Sequence, residues 1–222
     1  TYTFRHMPME ELVEVYIQEI EQGIGDTGIK AGAVKIATGD GKVSDYERKL
    51  VTAGARAAKA AGVPVISHTQ NATCGPDQID MVTGEGCPAE QLVVGHSDGT
   101  TDFDYQKSLA DRGAFVGFDR FGISLFQPDE VRIANIIKMI AAGHLTRVLM
   151  SHDSISCWLG RPYPYASSFE AMQEMLPNWR SNHIFKEILP KMRAAGVTEE
   201  QIETILVENP KRLFSCALGH KH

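Results

Sequence analysis

Residues 63–96 read VPVISHTQNATCGPDQIDMVTGEGCPAEQLVVGH. The stretch opens on one apolar run, VPVISH at 63–68, and closes on another, LVVGH at 92–96. Neither run alternates with polar residues, so neither has a solvent face, as expected of strands buried on both sides of a parallel sheet. Residues 78–83, between them, are compatible with a helix, which makes a strand–helix–strand unit. Each strand ends in a histidine, His68 and His96.

The unit repeats outward in both directions. Upstream lies AGAVKIA at 31–37; downstream lie AFVGFD at 114–119 and RVLMSHD at 147–153. Residues 45–61, 104–112 and 130–142 are helix-compatible, and residues 168–215 read as wholly helical. Repeated alternation predicts an α/β fold but leaves a doubly wound sheet and a closed barrel open. The polar residues decide between them. Four of the five runs end, or nearly end, in a residue able to bind metal or move protons: His68, His96, Asp119 and Asp153. Lys35 sits inside the fifth. Barrel enzymes build their active sites from the C-terminal ends of several strands. A dinucleotide-binding sheet would instead carry GxGxxG after an early strand, and that motif is absent. The expectation is an α/β fold of the (β/α) TIM-barrel type. With no Pro/Gly/Ser-rich linker or low-complexity segment, residues 1–222 read as a single domain.

Composition narrows the function. The chain has 222 residues, 43% hydrophobic and 23% charged, ordinary values for a soluble globular protein. A full eight-fold barrel typically needs about 250 residues. The net charge of -6 argues against a nucleic-acid partner, which calls for a basic stripe. No apolar run approaches the roughly 20 residues needed to span a bilayer. No signal-peptide pattern opens the chain either, so no membrane and a cytoplasmic location are expected. Cys74, Cys87, Cys157 and Cys216 form no CxxC pair, so zinc-finger spacing is absent and reduced thiols are expected.

Lys35 is the sharpest anomaly. It lies in Ala33-Val34-Lys35-Ile36-Ala37, with no polar neighbour on its strand to offset burial of a cation. A buried lysine lowers its pKa or finds a partner, unless it snorkels out of the barrel end. One chemical solution is carboxylation, in which the neutral amine adds carbon dioxide and becomes an anionic carbamate able to bridge two cations. His68 and His96 stand at equivalent strand ends one unit apart, with Lys35 one unit earlier. Either histidine alone reads more readily as a core or rim residue than as a ligand; the three positions together point to a metal site, and imidazole suits zinc and related cations. Asp153, in SHDS at 151–154, would complete the site and accept a proton from water that a cation acidifies. Its structural alternative is a helix N-cap. By strand alternation His152 should point the other way.

In order along nearly the whole chain, GAVKIA, VPVISHT, VVGHSDGTTD, GFDRFG, MSHDS and ENPKRLFS resemble the phosphotriesterase family of the amidohydrolase superfamily. The resemblance implies a (β/α)8 barrel with two divalent metal ions, zinc first, with cobalt, manganese or iron as alternatives. It implies that Lys35 is the carboxylated bridging lysine and that His68 and His96 bind the more exposed metal. Asp153 would bind the buried one and deprotonate the hydroxide nucleophile. GFDRFG at 117–122 is similar to the phosphotriesterase-like lactonases more than to organophosphate-specialised members. By the same likeness Tyr2 orients or protonates the lactone and Arg120 lies near the substrate loop; Cys157 and Trp158, in the loop after the last strand, would line the pocket. The implied substrates are lactones of the acyl-homoserine type, with promiscuous phosphotriesterase activity. A dedicated organophosphate or carboxylic ester hydrolase and a non-catalytic binding barrel are the alternatives. A homodimer is also implied.

The chain departs from the family at its start. The family's first strand supplies a His-x-His pair for the buried metal, and that strand, the second and most of the third have no counterpart here. The His-x-His at His220-Lys221-His222 sits in a polar tail with no strand to fix it. The expectation is a partial barrel, strands four to eight plus C-terminal helices, belonging to a longer polypeptide and nearly inactive alone. An open sheet leaves strand edges unpaired, and one metal would lack ligands.

Overall fold

The computed structural model describes residues 4–154 and 174–218. An N-terminal helix, α1 (Met9–Glu21), precedes five parallel strands: β1 (Val34–Thr38), β2 (Val65–Thr69), β3 (Leu92–Val94), β4 (Phe115–Phe118) and β5 (Val148–Met150). Between them run α2 (Asp45–Ala61), α3 (Gly75–Gly84), α4 (Phe103–Asp111) and α5 (Asp129–Ala141). The strands lie side by side in sequence order, each parallel to the next. A doubly wound sheet reverses its strand order at a switch point, and this sheet has no such reversal.

One face of the sheet carries the main core. Val34, Ile36, Val65, Leu92, Val94, Val116, Phe118 and Val148 pack there with Val51, Ile79, Leu109, Ile136 and Met139 of the helices. The side chains that alternate with them form a smaller cluster on the opposite face, where Val93 and Phe115 meet Leu213, flanked by Ile66 and Leu149. Helices on one side and a narrow apolar interior on the other make the wall of a barrel.

The local reasons are legible. Helix α2 starts where a capping box forms: Ser44 Oγ accepts from Glu47 N, and Glu47 Oε2 accepts from Ser44 N at 2.7 Å. Glu47 Oε1 also accepts from Gly39 N at 2.6 Å, which ties the loop leaving β1 to the helix that follows. Helix α3 starts earlier than residue 78, because Pro76 suits a first turn whose N–H groups lack helical partners. Helix α1 was not among the expected elements; it buries Leu12 and Ile20 and packs against α2.

Residues 174–218 are not wholly helical. Turns precede a π-helical segment at Ile184–Ile188 that runs into α6 (Leu189–Ala194). Helix α7 (Glu199–Glu203) then continues through a second π-helical segment, Thr204–Glu208, into α8 (Asn209–Leu218). The ENPKRLFS motif closes the end of the barrel opposite the site described below. Asn209 Nδ2 donates to Leu145 O and Val148 O, both at 2.8 Å, Arg212 Nη1 donates to Thr146 O, and Leu213 fills the interior against Val93 and Phe115. Among the described residues no helix is long and apolar enough to cross a membrane.

Candidate metal centre

The site gathers at the C-terminal ends of the strands. On β1, Val34, Ile36 and Thr38 are buried toward the helices while Lys35 and Ala37 face the other way. Lys35 is solvent-accessible there, but surrounding protein still lowers its pKa from the ordinary value. Asp119 and Asp153 oppose that shift, and Arg120 adds to it. Its Nζ donates to Ser67 O at 3.0 Å. The lysine thus has no polar partner along its own strand but finds one across the sheet.

His68 is half-buried on β2, and its Nε2 lies 3.2 Å from Gln70 Oε1. Burial lowers its pKa, as do His96, Arg120 and Lys35, while the bond to Gln70 opposes them. A neutral imidazole is the form that binds metal.

His96 was expected at a strand end; it sits instead in the turn after β3, at φ 59°. Gly95 makes the turn possible. A Cβ there would stand 2.2 Å from Ser67 O, so only glycine lets the chain pass so close to β2. Asp119, just past β4, then fixes the histidine. It accepts from His96 N at 3.0 Å and lies 2.7 Å from His96 Nδ1. A carboxylate on one ring nitrogen orients the other as a ligand. Sequence grouped Asp119 with residues able to bind metal or move protons; the structure makes it the partner of His96.

The His68 and His96 rings meet edge to face with centroids 4.6 Å apart. His96 Nε2 lies 3.9 Å from Asp153 Oδ2, which accepts from Arg120 Nε at 3.2 Å. Asp153, like His96, holds a left-handed backbone, φ 49°. Non-glycine residues are uncommon there, and such strain clusters at functional sites. The segment is braced from outside: Trp179 Nε1 donates to His152 O, and His152 Nε2 accepts from Ile184 N at 3.1 Å. His152 is therefore turned toward the Ile184 backbone and away from His68 and His96.

Beneath the site lies a buried ionic network absent from the sequence reading. Asp98 Oδ2 accepts from Arg120 N at 3.1 Å and from Arg132 Nε at 2.6 Å. Arg132 also donates to Ile123 O, Gln127 O and Asp129 Oδ1. Asp129 in turn binds Gly122 N and His183 Nε2. One arginine thus ties together the loops that follow β3 and β4. Arg120, almost fully buried, stacks its guanidinium 4.3 Å from the centroid of Phe126.

Lys35, His68, His96, Asp153 and Arg120 therefore share one face of the sheet. Tyr2, Cys157, Trp158 and His220–His222 lie outside the described residues. Among the described residues no three His, Cys, Asp or Glu side chains form a group that could hold a metal ion. A metal here requires Lys35 as a further donor. The chemistry of the set fits that role, since two imidazoles pack ring to ring, one of them facing a carboxylate, with an amine of lowered pKa in electrostatic reach of His68 and Asp153.

The model of the phosphotriesterase family matches residues 2–214. The chain belongs to the phosphotriesterase family. It is 33% identical over 213 residues to a phosphotriesterase homology protein of Mycobacterium tuberculosis, covering 96% of this chain and 64% of that protein. It is 33% identical over 218 residues to an aryldialkylphosphatase of Saccharolobus solfataricus, covering 96% of this chain and 67% of the relative. A crystal structure of a mutant PTE-like lactonase of Deinococcus radiodurans superposes with a TM-score of 0.84 at 37% identity, over 93% of this chain and 64% of that one. The chain thus spans about two thirds of the length of these phosphotriesterase relatives, and its 5-stranded sheet is part of a (β/α)8 barrel.

Proposed function

We propose that this chain carries part of the catalytic face of a metal-dependent hydrolase that opens lactones, with weaker activity on phosphotriesters. What supports the reading is that His96, oriented by Asp119, packs edge to face on His68 and lies 3.9 Å from Asp153, with Lys35 on the interior side of the neighbouring strand. In this reading Lys35 Nζ, once deprotonated, would add carbon dioxide from solution and release a proton, and the carbamate, His68 and His96 would hold the metal. Two divalent ions, zinc by preference, when bound acidify water toward neutral pH and polarise the substrate's electrophilic centre. Asp153 completes the set and takes the proton, and Arg120 Nε holds its Oδ2 in place. Tyr2 orients or protonates the lactone by family resemblance. The exposed Leu125 and Phe126, beside Arg120, offer an apolar wall to an acyl chain. Small-molecule substrates, a homodimer and a cytoplasmic setting complete the proposal.

The likeness to an aryldialkylphosphatase favours a second reading, a dedicated organophosphate hydrolase on the same residues. Metal and fold serve both, because in each case hydroxide attacks and an oxygen gains negative charge. The test is kcat/KM, measured on the longest native form of the zinc-loaded polypeptide, for a long-chain acyl-homoserine lactone and an aryl dialkyl phosphate. A ratio favouring the lactone supports the first reading, and the reverse ratio supports the second. Failure to bind zinc, cobalt, manganese and iron alike would end both in favour of a non-catalytic barrel.

A further inference from the structure

The loop leaving β2 turns through three non-glycine residues at positive φ: Asn71 at 52°, Ala72 at 53° and Cys74 at 60°. Side chains are disfavoured there, and such a conformation persists only where its surroundings over-determine it. The surroundings here are a set of bonds to the loop leaving β1. Asn71 Nδ2 donates to Asp40 Oδ2 at 2.9 Å, and Thr73 Oγ1 accepts from Gly41 N at 2.9 Å while donating to Gln70 O at 2.7 Å. What this delivers is Gln70, whose Nε2 donates to Asn71 Oδ1 at 3.3 Å and whose Oε1 lies 3.2 Å from His68 Nε2.

Donor and acceptor capacity runs in one direction along these links. An ionised carboxylate only accepts, so Asp40 takes the Nδ2 end of Asn71. That leaves Asn71 Oδ1 to face Gln70, which must answer with its Nε2. Gln70 then turns Oε1 toward His68, and an amide oxygen only accepts. The imidazole must carry its proton on Nε2 and its lone pair on Nδ1. We propose that Asp40, Asn71 and Gln70 form a positioning relay that fixes the tautomer and ring orientation of His68, so that Nδ1 is its ligating nitrogen. The relay mirrors the role of Asp119 toward His96, which fixes the opposite nitrogen of its ring. Its consequence for metal binding rests on the metal-site reading above; the tautomer itself does not.

The test separates the two. Imidazole ¹⁵N shifts are recorded on the metal-free chain and on its Gln70→Leu, Gln70→Glu and Asp40→Ala variants, with zinc affinity measured beside them by chelator competition. The native chain should show His68 protonated on Nε2. Gln70→Leu and Asp40→Ala should move its two nitrogens toward a mixed tautomer while His96 keeps its shifts, which shows that the site is still folded. Zinc affinity of Gln70→Leu should fall about 10- to 100-fold, the usual effect of losing a partner that orients a ligand. Gln70→Glu, whose carboxylate accepts the same proton, should restore the Nε2–H form. A native His68 protonated on Nδ1 overturns the relay, as do unchanged His68 shifts in both Gln70→Leu and Asp40→Ala. If no form binds zinc, the metal reading fails, and the ¹⁵N shifts still decide the relay.

Discussion

Replacing Arg132 with methionine removes the centre of the network beneath the candidate site. The Arg132 and Asp98 side chains have 0% exposure, and their bond measures 2.6 Å. Methionine keeps the apolar stem packed but takes away the charge and every donor. Asp98 is then a buried carboxylate with the Arg120 N–H as its remaining recorded partner, and Ile123 O loses the donor it has at 3.1 Å. Removing one member of a buried pair costs about 3–5 kcal/mol, because the other charge stays desolvated. That is a large share of the roughly 5–15 kcal/mol by which a domain is stable. With an m-value of about 2 kcal/mol/M, the urea midpoint at pH 7 should fall by about 2 M. Arg132→Met combined with Asp98→Asn removes the stranded charge, so the double variant should be more stable than the single one. A single variant within about 1 kcal/mol of the native chain, or a double variant less stable than the single, would falsify the claim that this pair holds the loops together.

Asp119→Asn should lower zinc affinity about 10- to 100-fold in a chelator titration, since His96 loses the carboxylate that orients it; unchanged affinity would remove Asp119 from that role. Gly95→Ala should destabilise the chain by at least about 1–3 kcal/mol in thermal melts, because its Cβ meets backbone oxygen at Ser67; an unchanged melting temperature would mean that β2 and β3 can part without cost. Burial lowers the pKa of both His68 and His152, with His183 adding to the effect at His152. Their folded pKa values lie below the unfolded value of about 6.5, so the stability they contribute is present above that pH and lost as pH falls through the folded values. Urea midpoints should therefore drop between pH 7 and pH 5, and less steeply for His152→Gln; identical slopes would show that His152 does not titrate on unfolding.

Much of the fold could be read because it rests on local pattern. The runs around Val65 and Leu92 announce strands by unbroken apolarity, and Ser44 with Glu47 marks the start of α2 by the spacing of a capping box. Strand ends were less legible. The run through His96 looks continuous, but β3 stops at Val94, because Gly95 must clear Ser67 on the neighbouring strand. Helix α1 is not announced by the sequence, because no strand run precedes it to mark a repeat unit. At the site, residues placed by their own strands could be named from sequence, whereas their supports could not. Asp119 faces His96 across 23 positions, Arg132 meets Asp98 across 34, and Lys35 finds Ser67 O across 32. Which strands are neighbours decides these pairs, and no spacing along the chain encodes it. Gln70 lies only two positions from His68, but its role depends on Asp40, a loop away.

Anomalous diffraction at the zinc edge, from crystals grown with zinc and bicarbonate, addresses the metal site most directly. The account predicts a peak within coordination distance of His68 Nδ1 and His96 Nε2, with added density on Lys35 Nζ reaching the same ion and Asp153 turned toward a second peak beside it. A strong peak elsewhere with these four side chains untouched, or no peak under saturating zinc, would contradict it.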